Sequence, residues 1–355
     1  MNSPSERLRH RIQRDGPLSF AEFMEEALYG EGGYYRTAQP RIGPAGDFVT
    51  GSSLSPLFGR STARLLARLA VRLGGAVDLL EAGYGDGSHL AAVVAAAPAR
   101  ALSRVLGWDR VQRSLPLGVT AVDGLADLAD APVRGLVFSY ELFDALPVHR
   151  LVKGDEHEWR ELGVGLDDDE GFHWQELAAD RTDLAELLGE DAATVERGQI
   201  VDLAPGWRPL YRRLAATLER GLLVTCDYGF ERHRLLDPRV RRHGTLACYR
   251  HHRVHRDPFV DVGRQDLTAH VDFTALVLEG EAAGLETVAL VRQAEWLGAC
   301  GVFAGLETAD PATRLEAAQL MNLDGMGSEI KVLVQARGID CEGLFDLELK
   351  LAKGC

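Results

Sequence analysis

The stretch LLEAGYGDGSHL, residues 79–90, constrains the fold more than any other part of the chain. An apolar run ends in an acid, Glu81, and three glycines follow at alternate positions: Gly83, Gly85 and Gly87. Glycine loses more conformational freedom on folding than any other residue, so such a cluster needs a structural reason. A strand, a glycine-rich turn and a helix in this order let the backbone approach a ligand closely, and the helix offers free N–H groups. The stretch therefore predicts a nucleotide-type binding loop, with a plain glycine turn as the alternative.

Apolar segments alternate with amphipathic segments through most of the chain. Residues 77–83, 103–109, 135–143 and 221–229 are strand-like, whereas residues 19–30, 57–73, 88–97 and 210–219 are helix-like. Strands that alternate with helices predict a mostly parallel, doubly wound α/β sheet. Residues 329–338 predict a late strand, antiparallel to a neighbour, and the segment from Leu151 to Ala178 predicts an inserted hairpin around an acidic turn.

The overall composition excludes several classes of function. The chain carries 39 Lys and Arg against 53 Asp and Glu, a formal charge of -14, which disfavours nucleic acid and anionic membranes as partners. Five scattered cysteines without a CxxC pair argue against a disulfide framework and favour a reducing compartment. The opening residues contain no apolar run, so we expect no secretory signal and a cytoplasmic protein.

Two further acids follow the predicted second and third strands. Asp109 ends the strand after the glycine loop, where a carboxylate can accept both hydroxyls of a ribose. Asp123 is a candidate to reach an adenine ring from the next strand end. A surface acid at a strand end is the alternative for each. The spacing E-x-G-x-G-x-G differs from the dinucleotide pattern GxGxxG and resembles the first motif of class I S-adenosylmethionine methyltransferases, whose cofactor has an ammonium group that would suit Glu81.

Three other stretches carry a wider resemblance. They are IGPAGDFVT at residues 42–50, YELFDALPVHRLV at 140–152 and DLTAHVDF at 266–273. Together they resemble the MidA family of S-adenosylmethionine-dependent methyltransferases, and the resemblance runs nearly end to end. The family includes a mitochondrial assembly factor that methylates an arginine of a partner protein. The resemblance implies a Rossmann-like core with added helical and cap segments, and S-adenosyl-L-methionine as cofactor.

The resemblance also implies an organisation of the chain. Residues 1–70 would form a helical, cofactor-covering segment, and residues 71–150 the first part of the methyltransferase core. Residues 151–200 would be the inserted hairpin or cap. Residues 201–355 would complete the core and include a lid-like loop at 231–270.

Site residues follow from the same resemblance, position by position. Asp47, Phe48 and Thr50 would lie over the cofactor, with a structural turn as the alternative. Glu141 and Asp144 match the family's two carboxylates and would hold and orient a guanidinium by charge-assisted hydrogen bonds. One of them, Glu141 first, would accept the proton as the methyl group is transferred. The alternative for Asp144 is a cap of the next turn.

Four positions depart from the family pattern. Tyr84 and Asp86 replace a proline and an arginine in the glycine loop, and Ser53 stands where the family has an acid. Tyr140 replaces an asparagine beside the predicted acceptor, so it is a third candidate for the catalytic set. These departures leave other acceptors open, namely a peptide or a small metabolite methylated on nitrogen or oxygen. A noncatalytic cofactor-binding assembly factor and a homodimer also stay open.

Other polar clusters are weaker candidates. The histidine-rich residues 248–257 fit no standard zinc spacing, so no metal site is predicted. His270 and Asp272 are candidates to line the acceptor site, and Asp272 is equally suited to cap the following helix. Trp159 and Trp174 in the hairpin are expected in the core or an interface.

Overall fold

The computed structural model describes residues 3–37, 56–155, 158–251 and 253–345. The strands of these residues, in chain order, are β1 Leu18–Ser19, β2 Val77–Ala82, β3 Leu102–Trp108, β4 Thr120–Ala121, β5 Val133–Tyr140, β6 His149–Lys153, β7 Trp159–Leu166, β8 Phe172–Asp180, β9 Ile200–Leu203, β10 Leu218–Phe230, β11 Ala247–Arg250, β12 Arg253–His255, β13 Asp266–Thr268, β14 Val271–Asp272, β15 Glu286–Arg292 and β16 Ile330–Arg337. The helices are α1 Pro4–Asp15, α2 Phe20–Tyr29, α3 Pro56–Leu73, α4 Ser88–Ala96, α5 Thr182–Ala185, α6 Trp207–Thr217, α7 Arg232–Leu235, α8 Pro238–Arg241, α9 Phe273–Ala282, α10 Gln293–Ala299, α11 Pro311–Leu320 and α12 Met326–Glu329. Short 3-10 segments occupy Tyr34–Arg36, Leu125–Leu128 and Glu186–Thr194.

The central sheet confirms the predicted doubly wound architecture. Its strand order is β15-β16-β10-β5-β2-β3-β4, and the strands from β10 to β4 are parallel. β16 runs antiparallel to both β10 and β15, as predicted for residues 329–338. The short β14 pairs with the last residues of β10 and prolongs the sheet beyond its carboxyl edge.

Alternation along the strands produces a hydrophobic layer on each face of the sheet. Val137 of β5 belongs to the buried cluster that includes residues of α2, α6 and α9, whereas Leu136 and Phe138 belong to the cluster that includes residues of α3, α4 and α10. Successive strand residues point to opposite faces, so two-sided apolar strands require helices on both faces. This explains why the central strands read as nearly continuous apolar runs.

A second sheet lies beside the core and holds the predicted hairpin. Its order is β1-β7-β6-β9, with β8 paired to β7. β7 and β8 form the antiparallel hairpin predicted around the acidic turn. Trp159 is buried in a small core of its own, and Trp174 packs against Phe20 and Phe259, so both tryptophans are structural as expected. A third sheet, β12-β11-β13, follows within residues 247–268.

The sheet topology determines where a ligand can bind. β2 and β5 are neighbours, but the chain leaves β2 toward β3 on one side, whereas β10 pairs on the other side of β5. In open α/β sheets, ligands bind at the carboxyl ends of strands where such connections diverge. No described helix is long and apolar enough to cross a membrane.

Candidate active site

A cavity opens at the carboxyl ends of β2, β3 and β5. It encloses about 850 Å³ of empty space, some of it open to solvent. Its wall includes two glycines of the loop, four tyrosines, five acids and one arginine: Gly83, Gly85, Tyr29, Tyr35, Tyr84, Tyr140, Glu81, Asp109, Glu141, Asp144, Asp266 and Arg113. The cavity therefore joins the predicted cofactor loop to the predicted acceptor acids.

The glycine loop has the conformation for which glycine is required. Gly83 and Gly85 have φ angles of 76° and 57°, in the left-handed region that side chains disfavour. A Cβ atom on Gly83 would lie 3.0 Å from Leu142 Cδ1. Gly87, with φ 75°, immediately precedes helix α4. The thin loop keeps backbone close to the cavity.

Asp109 organises the loop from the end of β3. Its two carboxylate oxygens accept hydrogen bonds from the Gly85 N–H at 3.0 Å and the Val111 N–H at 2.9 Å. Burial raises the pKa of this carboxyl. Each oxygen retains a second lone pair, so the group can still accept from a ligand hydroxyl.

Tyr84, which replaces the family's proline in the glycine loop, forms hydrogen bonds that stabilise this loop. Its hydroxyl donates to the Arg113 carbonyl at 3.0 Å and lies 2.8 Å from the Arg113 N–H, which donates to it. The Arg113 guanidinium in turn donates to the Tyr35 carbonyl at 2.7 Å. The tyrosine therefore ties the glycine loop to the segment after β3. Asp86, the second departure, accepts from the Ser88 N–H at the start of α4.

Glu81 is buried and already engaged within the protein. Its Oε2 lies 2.9 Å from His89 Nδ1, and His89 Nε2 lies 3.0 Å from Thr62 Oγ1. His89 lines the cavity and was missed by the sequence analysis. The available signal was its position in the first turn of the helix after the loop.

Not every predicted cofactor residue reaches the cavity. Asp123 is exposed, is absent from the cavity wall, and accepts from Gln112 Nε2 at 2.9 Å. Its surface-acid alternative therefore describes the structure better than an adenine contact. Asp47, Phe48, Thr50 and Ser53 lie outside the described residues.

Glu141 has strained backbone and an unsatisfied side chain. Its φ is 49°, although it is not a glycine, and its N–H donates to the Cys226 carbonyl at 2.9 Å. Its Oε1 is buried without a hydrogen-bond partner among the described residues. Burial, and then the charges of Asp144, Asp227 and Asp266, raise the pKa of this carboxyl well above its ordinary value. Strained, unsatisfied groups of this kind concentrate at functional sites.

Asp144, which is part of the cavity wall, and Asp227, which is not, form a buried carboxyl pair. Burial raises the pKa of Asp144 to about 7. Burial also raises the pKa of Asp227, and the charge of Asp144 raises it further. Asp227 Oδ2 accepts from the Leu142 N–H at 3.1 Å and the Phe143 N–H at 2.8 Å, and Oδ1 accepts from the Tyr228 N–H at 2.8 Å. Asp227 therefore positions the turn that carries Glu141 and Asp144. Sequence analysis missed it, although an acid near the end of an apolar strand was the available signal.

Tyr140 differs from its predicted role. Its ring lines the cavity, but its hydroxyl donates to Gln293 Oε1 at 2.7 Å, in the layer on α10. The strand places residue 140 on the same face as Phe138, so the phenol oxygen meets the helix layer. The Tyr140 hydroxyl thus has a structural role in this arrangement. The neighbouring acids provide polar groups of the cavity wall.

Two tyrosines from the N-terminal part of the chain complete the acid half of the cavity. The Tyr35 hydroxyl donates to Asp266 Oδ1 at 2.9 Å, and the Tyr29 hydroxyl donates to the Ala145 carbonyl at 3.0 Å. Their rings stack with centroids 5.4 Å apart. The sequence analysis assigned neither tyrosine, nor Asp266, to the site.

The remaining candidates fall outside the cavity. Asp272 caps α9 by accepting from the Ala275 N–H at 3.1 Å, and it pairs with Arg232 at 2.7 Å, so its capping interpretation is correct. His270 packs against Phe230 and is not part of the cavity wall. Among the described residues, no three His, Cys, Asp or Glu side chains form a group that could hold a metal ion.

The raised pKa of Asp144 predicts how stability depends on pH. Between its ordinary value of 3.8 and about 7, the folded protein binds more protons at this site than the unfolded chain. Its contribution to stability therefore falls as pH rises through this window, by at most about 4 kcal/mol. We expect Asp144→Asn to melt about 4 °C higher than the parent at pH 8, with the two melting alike at pH 3.5. Thermal unfolding at both values checks this, and an Asn variant that melts lower at pH 8 would contradict the assignment.

The fold and the cavity define a Rossmann-like S-adenosylmethionine-dependent methyltransferase. A glycine loop follows the first core strand, an acid follows the second, and carboxyls follow the fourth, all at one edge of the sheet. Residues 108–291 match the family described as "Putative S-adenosyl-L-methionine-dependent methyltransferase". The chain belongs to this family, the MidA family of methyltransferases.

Individual relatives support the same class. The human protein arginine methyltransferase NDUFAF7, mitochondrial, is 27% identical over an alignment of 369 positions. This alignment includes 90% of this chain and 80% of the relative. Its Drosophila melanogaster homolog is 27% identical over 316 residues, 76% of this chain and 68% of the relative. A Burkholderia thailandensis crystal structure bound to S-adenosyl-homocysteine is 30% identical, with a TM-score of 0.83 and coverage of 95% and 92% of the two chains. S-adenosylmethionine is therefore the cofactor of this enzyme.

Proposed function

We propose that this enzyme transfers the methyl group of S-adenosylmethionine to an arginine nitrogen of a partner protein. The observation that carries the proposal is the convergence of Glu141, Asp144 and Asp266 on the cavity beside the glycine loop. A cationic acceptor would compensate these carboxyls and give Glu141 Oε1 the partner it lacks. The mammalian, fly and amphibian relatives are named as protein arginine methyltransferases, which supports a protein substrate here.

In this proposal the glycine loop and Asp109 hold the cofactor. The left-handed glycines keep the loop thin, and Asp109 both braces Gly85 and offers its remaining lone pairs to ribose hydroxyls. Glu81, which is hydrogen-bonded to His89, would interact with the ammonium group of the cofactor. The bound cofactor supplies a sulfonium-activated methyl group, and the protein contributes proximity and orientation.

The acids then act on the acceptor. Glu141 and Asp144 bind the guanidinium and localise its charge away from the attacking nitrogen. That nitrogen forms the new bond to carbon as the carbon–sulfur bond breaks, with the electron pair leaving on sulfur. Glu141 accepts the proton that the nitrogen loses. The guanidinium charge favours the ionised form of Glu141. Because the pKa of Glu141 is high, its carboxylate is then a stronger base than an ordinary carboxylate.

A comparison of two acids tests the cofactor half of the site. We expect Asp109→Ala to weaken S-adenosylmethionine binding at least about tenfold, because the loop loses two braces and the ribose loses an acceptor. Asp123→Ala should leave the affinity within about twofold, since Asp123 lies outside the cavity. Calorimetric titration measures both. Equal losses in the two variants, or none in Asp109→Ala, would contradict this arrangement.

The acceptor class is tested by labelling. Wild-type enzyme and tritiated-methyl cofactor are incubated with a lysate of the source organism, which is then separated into protein and small-molecule fractions. The proposal predicts label in protein that hydrolyses to methylarginine. Label confined to small molecules would favour the alternative of a metabolite acceptor, and absence of transfer despite cofactor binding would favour a noncatalytic assembly factor.

The compartment and the assembly state remain predictions. The composition predicts a cytoplasmic protein, whereas the relatives named above are described as mitochondrial. Fractionation of the source cells decides between these compartments. Sedimentation of the purified protein decides between a monomer and a homodimer.

A further inference from the structure

A second groove lies beside the acid cavity and carries the opposite charge. It encloses about 860 Å³ of empty space, partly open to solvent, between α8 and the small sheet of β11 and β12. Its polar side chains are Arg241, Arg256, His255, His270, Tyr249 and Thr245, and burial lowers the pKa of His270 to about 4, so His270 is not one of its cations at neutral pH. None of the described side chains in the wall is a carboxylate, and Asp202, which accepts from Thr245, is paired with Arg150.

Three cations gather at the rim of this groove around one aromatic ring. The guanidinium carbons of Arg241 and Arg234 lie 4.4 and 4.6 Å from the centroid of Phe230, and Lys331 Nζ lies 5.1 Å from it. Each contact is a cation–π interaction. In the part of the chain that the structure describes, none of the three cations has a carboxylate oxygen within 4.0 Å.

These cations repel one another. Burial, and then the charge of Arg234, lower the pKa of both Arg241 and Lys331. Beside them, His270 Nδ1 is buried without a hydrogen-bond partner in the described residues. The charge of Asp237 partly offsets the lowering of the pKa at Arg241, and the charges of Glu231 and Glu295 do so at Lys331, but the pKa of both cations stays below its ordinary value. A bound anion would relieve the repulsion.

Tyr249 connects the groove to the acceptor cavity. It forms part of the groove wall, and in the pairing of β11 with β13 it lies opposite Asp266 of the acid cavity. Burial, and then nearby charges that include Asp144, Asp266 and Glu141, raise its pKa to about 12. Burial, and then charges that include Glu141 and Asp144, also raise the pKa of Tyr228, two residues before Phe230 on β10. A chain segment whose arginine lies among these acids would therefore continue past Tyr249 toward Arg241.

We infer that this basic groove binds an acidic side chain of the protein substrate, an aspartate or glutamate close in sequence to the methylated arginine. The inference rests on the proposed function, because the segment is placed by its arginine in the acid cavity. Opposite charges at two neighbouring subsites would set the register and direction of the substrate, which is the usual use of complementary charge at interfaces. Arg241 and Arg234 act here as specificity-determining residues.

A peptide panel tests the inference. Each peptide has one central arginine in a neutral sequence, with a single glutamate moved through the flanking positions and glutamine as its partner. We expect glutamate at one or two positions to lower KM about fivefold relative to glutamine, with kcat unchanged. Arg241→Gln and, separately, Arg234→Gln should abolish the difference while S-adenosylmethionine binding stays the same. The matched control is Arg239→Gln, an exposed neighbour on α8 that pairs with Asp237 and is absent from the groove wall.

The outcomes separate this inference from the proposed function. If no peptide is methylated, binding of the same fluorescent peptides in the presence of S-adenosyl-homocysteine still measures the preference for glutamate. A preference that survives in both arginine variants, or no preference in the parent enzyme, would overturn the inference even if arginine is methylated. Inorganic phosphate that binds in an Arg241-dependent way, without any preference among peptides, would also overturn it in favour of a free anion.

Discussion

Replacing Glu141 by Gln is expected to lower kcat for arginine methylation about 10³-fold and to leave the Kd for S-adenosylmethionine within about twofold. Glutamine has nearly the same shape, so the turn and its φ of 49° should persist. Its amide, however, cannot accept the departing proton and presents N–H donors to the donors of a guanidinium. The buried Oε1 position thereby loses both its charge and its base. Single-turnover kinetics with a peptide acceptor measures the chemical step directly.

The chain offers a close control for this experiment. Glu170 also has a left-handed backbone, with φ 60°, but it is exposed in the β7–β8 turn and is absent from the cavity wall. Glu170→Gln should therefore change neither kcat nor cofactor affinity. Asp144→Asn should behave like Glu141→Gln in activity, with a smaller loss. Full turnover in both acid variants would mean that the acceptor is not held by these carboxyls.

Asp227→Ala is expected to lower the free energy of unfolding by about 3 kcal/mol or more. The substitution leaves two buried N–H groups, those of Leu142 and Phe143, and the half-buried N–H of Tyr228 without this acceptor. Each unsatisfied buried donor costs about 1–3 kcal/mol, and the melting temperature should fall by at least about 6 °C. Because two of these donors belong to the turn that carries Glu141, methyl transfer should also be lost. Thermal and denaturant unfolding measure the stability change.

Two other variants show how much of the stability loss comes from burial of the donors and how much from the loss of the hydrogen bonds. Asp227→Asn keeps one carbonyl oxygen and should lose less than half as much stability. Asp310 accepts from the N–H groups of Ala312 and Thr313 at an exposed helix start, where water can replace it. Asp310→Ala should therefore cost much less stability than Asp227→Ala. An Asp227→Ala protein as stable as the parent would show that Asp227 does not brace the turn.

The architecture was predictable because its signals are local. The glycine loop, the alternation of strands and helices, the hairpin near Trp159 and the late antiparallel strand all depend on patterns within a few residues. The positions of Glu141 and Asp109 at strand ends follow from the same patterns. A parallel sheet gathers such strand ends at one edge, so the region of the site could be inferred without knowing any side-chain contact.

The details of the site depend on contacts between distant parts of the chain. Asp227 lies 85 residues from the Leu142 N–H that it accepts from, and Tyr35 lies 231 residues from Asp266. The direction of the Tyr140 hydroxyl depends on which face of β5 the residue occupies, and the run of apolar residues before it is buried on both faces and does not reveal this. The apolar pattern also does not reveal that β4, the strand before Asp123, has only two residues at the sheet edge, or that Asp123 is exposed.

The central claim is that the acid cavity presents an arginine to the cofactor, and the position of a transferred methyl group tests it most directly. The enzyme is incubated with a trideuteromethyl cofactor and the protein substrate identified by labelling, and the labelled peptide is sequenced by mass spectrometry. We predict a trideuteromethyl group on a guanidinium nitrogen of one arginine, present with the parent enzyme and with Glu170→Gln, and absent with Glu141→Gln. A label on a lysine, carboxylate or hydroxyl side chain, or an arginine label that persists undiminished in Glu141→Gln, would contradict the account.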